Sequence, residues 1–111
     1  MHVQIVTFTL AGMDDEGYRA ACAEMAPAFA GLPGLRAKVW LTDPATGTYG
    51  GVYLWDDRAS MEAYAASELF ASVAASPAFA GIASRDFGVL DDLTRSTQPG
   101  LDVLPEPATS R

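Results

Sequence analysis

Apolar and polar positions alternate along four stretches of the chain and recur at spacings of three and four between them, which predicts four strands interleaved with helices. His2 to Leu10 forms the first strand, with Val3, Ile5, Thr7 and Thr9 on one face and His2, Gln4, Val6 and Phe8 on the other. Gly12 and the pair Asp14-Asp15 then make a turn and an N-cap, with negative charge at the positive end of a helix. Tyr18, Cys22, Met25, Phe29 and Leu32 are its apolar stripe, and Gly31 with Pro33-Gly34 stops it. Pro27 lies inside this helix and predicts a kink or short break near Ala26.

Arg36 to Trp55 reads as two strands joined by the turn Asp43-Pro44-Ala45-Thr46-Gly47. Alternation puts Arg36, Lys38 and Trp40 on one face and Ala37, Val39 and Leu41 on the other. Two cations and an indole on one face are costly to bury unless something polar or anionic sits against them, so this face suggests a pocket floor. On the return strand the pair Gly50-Gly51 marks either a structural bulge or a close approach of backbone or ligand. Tyr49, Gly51, Tyr53 and Trp55 there alternate with Val52 and Leu54.

Asp56-Asp57 caps a second helical region bearing Met61, Tyr64, Leu69, Phe70 and Val73, with a bend expected near Ser67. Ser76-Pro77 ends it. Ile82 to Leu90 is the fourth strand, with Ala83, Arg85, Phe87 and Val89 opposite Ile82, Ser84, Asp86 and Gly88. From Asp91 the periodicity dissolves, which predicts one domain over residues 1–93 and a C-terminal tail over 94–111, mobile or packed on a partner subunit.

The order βαββαβ predicts an α+β, ferredoxin-like fold: one antiparallel sheet with helices on one face. Val3, Ile5, Ala37, Val39, Leu41, Val52 and Leu54 make the other face too apolar for water, so a homodimer pairing two sheets is expected. The length of 111 residues suits a single domain. A net charge of -7 argues against nucleic-acid and anionic-membrane partners, which need a basic footprint. No apolar run reaches transmembrane length and the chain opens on strand-like residues, so a cytoplasmic location is expected. The single cysteine, Cys22, lies on the helical stripe and reads as a small buried hydrophobe.

Lys38-Val39-Trp40, Gly50-Gly51-Val52-Tyr53-Leu54, Ser60-Met61-Glu62-Ala63-Tyr64 and Arg85-Asp86-Phe87-Gly88-Val89-Leu90 together resemble the YdhR-type monooxygenases of the dimeric α+β barrel superfamily. The resemblance spans nearly all of Val3 to Leu90. It implies a homodimer whose two sheets form a barrel, with one cleft per subunit between sheet and helices. It also implies kinship with cofactor-independent oxygenases that oxidise polyphenolic aromatics to quinones in polyketide pathways.

Such chemistry needs a substrate that can itself deliver electrons to oxygen once its phenolate or enolate is stabilised. Lys38, Arg85 and Tyr53 are the catalytic candidates. Trp40, Trp55, Gln4 and Phe87 are candidates for holding a flat aromatic or polyketide-like substrate beside molecular oxygen. Core packing is the competing explanation for Trp40 and Tyr53, and ion pairing with Asp56 or Asp86 for Lys38 and Arg85. No cofactor or metal is expected, since no His/Cys cluster or nucleotide loop is present. A haem ligand would have to be His2, the only histidine, which is expected to be frayed at the chain start. The alternative function is a non-oxidative binding protein or cyclase-like catalyst using the same cleft.

Overall fold

The computed structural model describes residues 1–98. Its elements are β1 (His2–Leu10), α1 (Asp15–Ala30), β2 (Leu35–Asp43), β3 (Thr48–Trp55), α2 (Arg58–Ala65), α3 (Glu68–Ala75), β4 (Phe79–Gly88) and α4 (Asp91–Ser96). The strands pair antiparallel in the order β2-β3-β1-β4, with the helices over one face, the ferredoxin-like arrangement.

Local chemistry accounts for the element ends. The Asp14 carboxylate accepts from the Gly17 amide at 2.7 Å and starts α1, and Asp57 does the same for α2 through Ser60 at 2.8 Å. Ser67 breaks the second helical region in two: its hydroxyl donates to the Tyr64 carbonyl at 2.6 Å and accepts from the Phe70 amide at 3.2 Å. The β2–β3 turn closes with the Gly47 amide on the Asp43 carbonyl at 2.8 Å.

His2, Gln4, Val6 and Phe8 face the helices and are buried, as are Tyr49, Tyr53 and Trp55 on β3. Tyr18 and Phe29 from α1, Met61 and Tyr64 from α2, and Val73 from α3 close over them. The reverse face carries Val3, Ile5, Val52 and Leu54 half-buried, and Val39 and Phe87 are 57% and 44% exposed.

Several local expectations change. α1 runs without a break through Pro27 to Ala30, so the proline removes one donor, toward the Ala23 carbonyl, without ending the helix. The glycine pair is no bulge, because Gly50 pairs with Thr7 and Leu41 and Gly51 with Val6 and Trp40 in unbroken register. Gly50 instead permits a close backbone approach: at φ +148° a Cβ there would lie 1.9 Å from the Val6 carbonyl oxygen. The irregularities fall between Leu35 and Ala37 on β2 and opposite Thr7 to Thr9 on β1. Arg36 sits in the first of these and pairs with Asp56 at 2.7 Å. β4 begins at Phe79, earlier than the alternation indicated, and Asp91–Ser96 is helical where the pattern had dissolved. The rest of the expected tail, residues 99–111, lies outside the described residues.

Gly50→Ala is expected to cost more than about 3 kcal/mol, since strain and a backbone clash combine. Gly47→Ala, with φ +72° but open space around it, should cost about 1 kcal/mol. Urea denaturation of both variants checks the difference.

Candidate functional site

Lys38 is the chain's single lysine, and it is not on the surface in the usual way. β2 aims it beneath α1, where its Nζ lies 3.4 Å from the centroids of Phe29 and Trp40 and 4.8 Å from that of Tyr53. The stem passes over Gly51: a Cβ at that position would stand 2.8 Å from Lys38 Cε. Among the described residues no carboxylate comes within ion-pair distance of this amine.

Two concavities meet at Lys38, Phe29 and Trp40. On the outer side is a groove of about 370 Å3 at the β2 edge, also lined by Ala26, Ala30, Leu35 and Arg36. On the inner side is a cavity of about 20 Å3 walled by Val6, Tyr18, Gly50 and Tyr53 among others. The groove has the size of a small-molecule site, and the cavity has room for about one water. A further groove of about 380 Å3 lies beside α2, but its charged residue, Asp57, is occupied in capping that helix.

Opposing forces act on the Lys38 charge. The faces of the rings attract an ammonium, by about 0.5–2 kcal/mol. Removing an unpaired ammonium from water costs several kcal/mol, so burial prevails and brings the amine down to about 7. Burial also pushes the Tyr53 phenol up, as it does that of Tyr64, and the two hydroxyls lie 3.3 Å apart. The Cys22 thiol near Lys38 is likewise raised by burial.

The sequence-derived candidates divide by face. Lys38, Trp40 and Tyr53 come together at the groove and cavity. Trp55 and Gln4 lie deeper on the same face: the Trp55 indole donates to Gln4 Oε1 at 3.1 Å, and Gln4 Nε2 donates to Ser84 Oγ at 3.1 Å. Trp55 stacks on Tyr53 with an interplanar angle of 4° and sets that ring. Arg85 and Phe87 are not brought to this cleft. Arg85 pairs with Ile5 and Phe87 with Val3, so both project from the sheet face away from the helices, 5.4 Å from guanidinium carbon to ring centroid. His2 is buried rather than frayed, with Nε2 2.7 Å from Asp86 Oδ2. Among the described residues no group of three His, Cys, Asp or Glu side chains is placed to hold a metal, and no helix is long and apolar enough to cross a membrane.

A family model described as "Putative mono-oxygenase ydhR" matches residues 3–99. The chain belongs to that family. Its fold is similar to that of solved structures at low identity. The haem degrader MhuD of Mycobacterium tuberculosis, solved with two haems in its active site, is 20% identical with a TM-score of 0.65, over 81% of this chain and 96% of MhuD. SnoaB, a cofactor-independent oxygenase from Streptomyces nogalater, is 19% identical with a TM-score of 0.61, over 79% of this chain and 92% of SnoaB. An antibiotic biosynthesis monooxygenase-type protein from Deinococcus radiodurans is 14% identical with a TM-score of 0.61, over 80% and 92% of the two chains. No curated protein matches the sequence.

In this ydhR-family chain the sequence pattern missed Phe29 as a partner of Lys38. Its position on the α1 stripe signalled burial, but periodicity does not say which strand residue a helix residue meets. The Tyr64 hydroxyl opposite Tyr53 was missed for the same reason.

Lys38→Met gives a pH-dependent test of the buried amine. The folded amine titrates at about 7 and the unfolded one near about 10.4, so the unfolded chain binds more protons between these values. This contribution to stability therefore rises as pH climbs from 7 toward 10, and the penalty for burying the charge is full below 7. The stability gained by Lys38→Met over the native chain should be greatest near pH 6 and shrink toward pH 9. Paired urea titrations measure it, and a gain independent of pH would show that Lys38 stays ionised.

Proposed function

We propose that this chain is a cofactor-independent monooxygenase of an electron-rich aromatic or polyketide-like small molecule, with the groove and cavity joined at Lys38 as its site. The observation that carries the reading is a lone buried amine set among rings at the mouth of a ligand-sized groove, in a chain of the ydhR mono-oxygenase family. The SnoaB likeness is in keeping with it but extends to fold only.

In this mechanism a phenol or enol enters the groove and lies against Phe29 and Trp40. Above pH 7 the neutral Lys38 amine takes its proton. The resulting ammonium and substrate anion then neutralise one another in a site of low dielectric, and the rings hold the ammonium in place. The electron-rich anion reduces oxygen: one oxygen atom ends in the new carbonyl, and the other leaves as water with the hydrogens lost from carbon and oxygen. Tyr53, kept protonated by burial, is a hydrogen-bond donor toward the developing oxyanion. Gln4 and Trp55 position Tyr53 through the stack described above. MhuD's haems do not enter this reading, since the one histidine, His2, lines neither the groove nor the cavity at Lys38.

The open sheet face belongs to the same proposal. A second copy would cover Val3, Ile5, Val39, Val52, Leu54 and Phe87, with Arg85 at the contact, and make the two-sheet barrel of a cytoplasmic homodimer.

Oxygen uptake with anthrone and simple polyphenols tests the reaction. The native protein should consume oxygen, and Lys38→Met should reduce the rate by at least about 100-fold with an unchanged circular dichroism spectrum. Quenching of tryptophan fluorescence by these compounds without oxygen consumption would instead establish the non-oxidative binding reading. For assembly, light scattering should find a dimer and Val39→Asp a monomer, because a charge would have to be desolvated at the interface. A native monomer at micromolar concentration would leave the apolar face without the proposed cover.

A further inference from the structure

We propose that Lys38 is also a carbonyl-capture site, forming a reversible imine with flat, conjugated aldehydes that enter the groove at the β2 edge. This chemistry uses neither oxygen nor a phenol, so it stands apart from the monooxygenase reading.

Imine formation asks three things of a lysine: an uncharged nitrogen, an approach for the carbonyl carbon, and surroundings that hold the ligand while keeping bulk water sparse. The single lysine of the chain meets each of them. Its nitrogen is flanked by ring faces and faces no carboxylate among the described residues, so no anion offsets the cost of taking its charge out of water. Its amine titrates at about 7, so most of it is free base just above neutrality. The approach is the groove of about 370 Å3, of which Lys38 forms part of the wall. The remaining wall is apolar apart from Arg36, which is paired with Asp56 at 2.7 Å.

The ring class follows from the neighbours. Phe29 and Trp40 stand 5.4 Å apart at 82°, and the amine sits in the corner between their two faces, 3.4 Å from each ring centroid. A conjugated aromatic aldehyde can stack on one ring while its carbonyl carbon reaches Nζ; a short aliphatic aldehyde gains little there. Gly51 leaves the space through which the lysine stem passes, so the amine is held by the shape of the sheet rather than by a counter-ion.

The step balances without an oxidant. The nitrogen lone pair attacks the carbonyl carbon, the carbonyl oxygen takes up protons, and the carbinolamine loses water to give the C=N bond. The nitrogen gives up both of its hydrogens in reaching the neutral imine, and the oxygen departs with two. Hydrolysis reverses each step.

The test uses the native chain with 6-methoxy-2-naphthaldehyde and cyanoborohydride near neutral pH, which converts the imine to a stable secondary amine. Peptide mass mapping should find the adduct on Lys38, formed at least about tenfold faster than on N-acetyl-lysine amide under the same conditions, because the free amino acid derivative is almost wholly protonated there. The rate should titrate with a midpoint near 7. Propanal, normalised against the same lysine amide, should react more slowly than the naphthaldehyde. The other amine is the α-amino group of Met1, which is ion-paired with Asp91 at 3.3 Å. Adduct confined to Met1, or a Lys38 rate no faster than that of the lysine amide, would overturn the proposal. Equal normalised rates for the two aldehydes would overturn the aromatic class. Since the readout is a mapped position on the native protein, it does not depend on any variant folding, and it stays informative whether or not oxygen uptake is found.

Discussion

Aromatic rings, more than aliphatic side chains, fill the layer between sheet and helices, and the rest of the molecule is arranged around their demands. One group joins Phe8, Tyr18, Tyr49 and Phe79; another joins Phe29, Trp40, Tyr53, Trp55, Tyr64 and Phe70. Each ring contact adds about 0.5–1.5 kcal/mol beyond the area it buries, but flat plates at fixed angles do not pack without gaps. The small cavity lies where these groups face one another. The polar ends must also be answered. Tyr53 meets Tyr64, Trp55 meets Gln4, and Tyr49 donates to Asp15 at 2.9 Å. A polar line from β3 through β1 to β4 therefore runs beneath an otherwise apolar layer.

Lys38 exploits that construction. Rings accept an ammonium without neutralising it, so the charge is tolerated but not secured. A carboxylate in the same place would fix the proton and quench the nitrogen as a base. An aliphatic wall would give no reason to keep a cation near at all. The aromatic surround leaves the amine close to balance at neutral pH, which is the condition both for taking a proton from an acidic ligand and for attacking a carbonyl.

Much of the fold was legible because its evidence is local. The bounds of β1, the Asp14 and Asp57 caps, the break at Ser67 and the turn ending at Gly47 each follow from residues within one turn of one another. The division of β4 into two faces was also legible. Which face meets the helices was not, because Arg85 and Asp86 are neighbours and only the pairing of Ile5 with Arg85 and Gln4 with Asp86 decides between them. Phe87 made the wrong face look like the inner one, since an apolar residue on an uncovered sheet mimics a core residue. The same limit hid the meaning of Gly50 and Gly51. Composition marks a place without side chains, but only the neighbours reveal that one vacancy admits the Val6 backbone and the other the lysine stem.

The first turn of α1 is pinned at one point. Asp15 accepts from Thr42 on β2 and Tyr49 on β3, each at 2.9 Å, and pairs with Arg19 at 2.7 Å. Those hydrogen bonds hold its carboxyl below the usual range, with the Arg19 contact foremost, so the pin survives mild acid. Phe29 stands 14 residues further along, about 21 Å of helix away. A rod fixed at one end multiplies rotation into travel at the other: a tilt of about 10° displaces the far end by about 4 Å on that length. That is roughly the thickness of one aromatic ring, so a tilt of that size about Asp15 would change the width of the groove beside Phe29 by about one ligand layer.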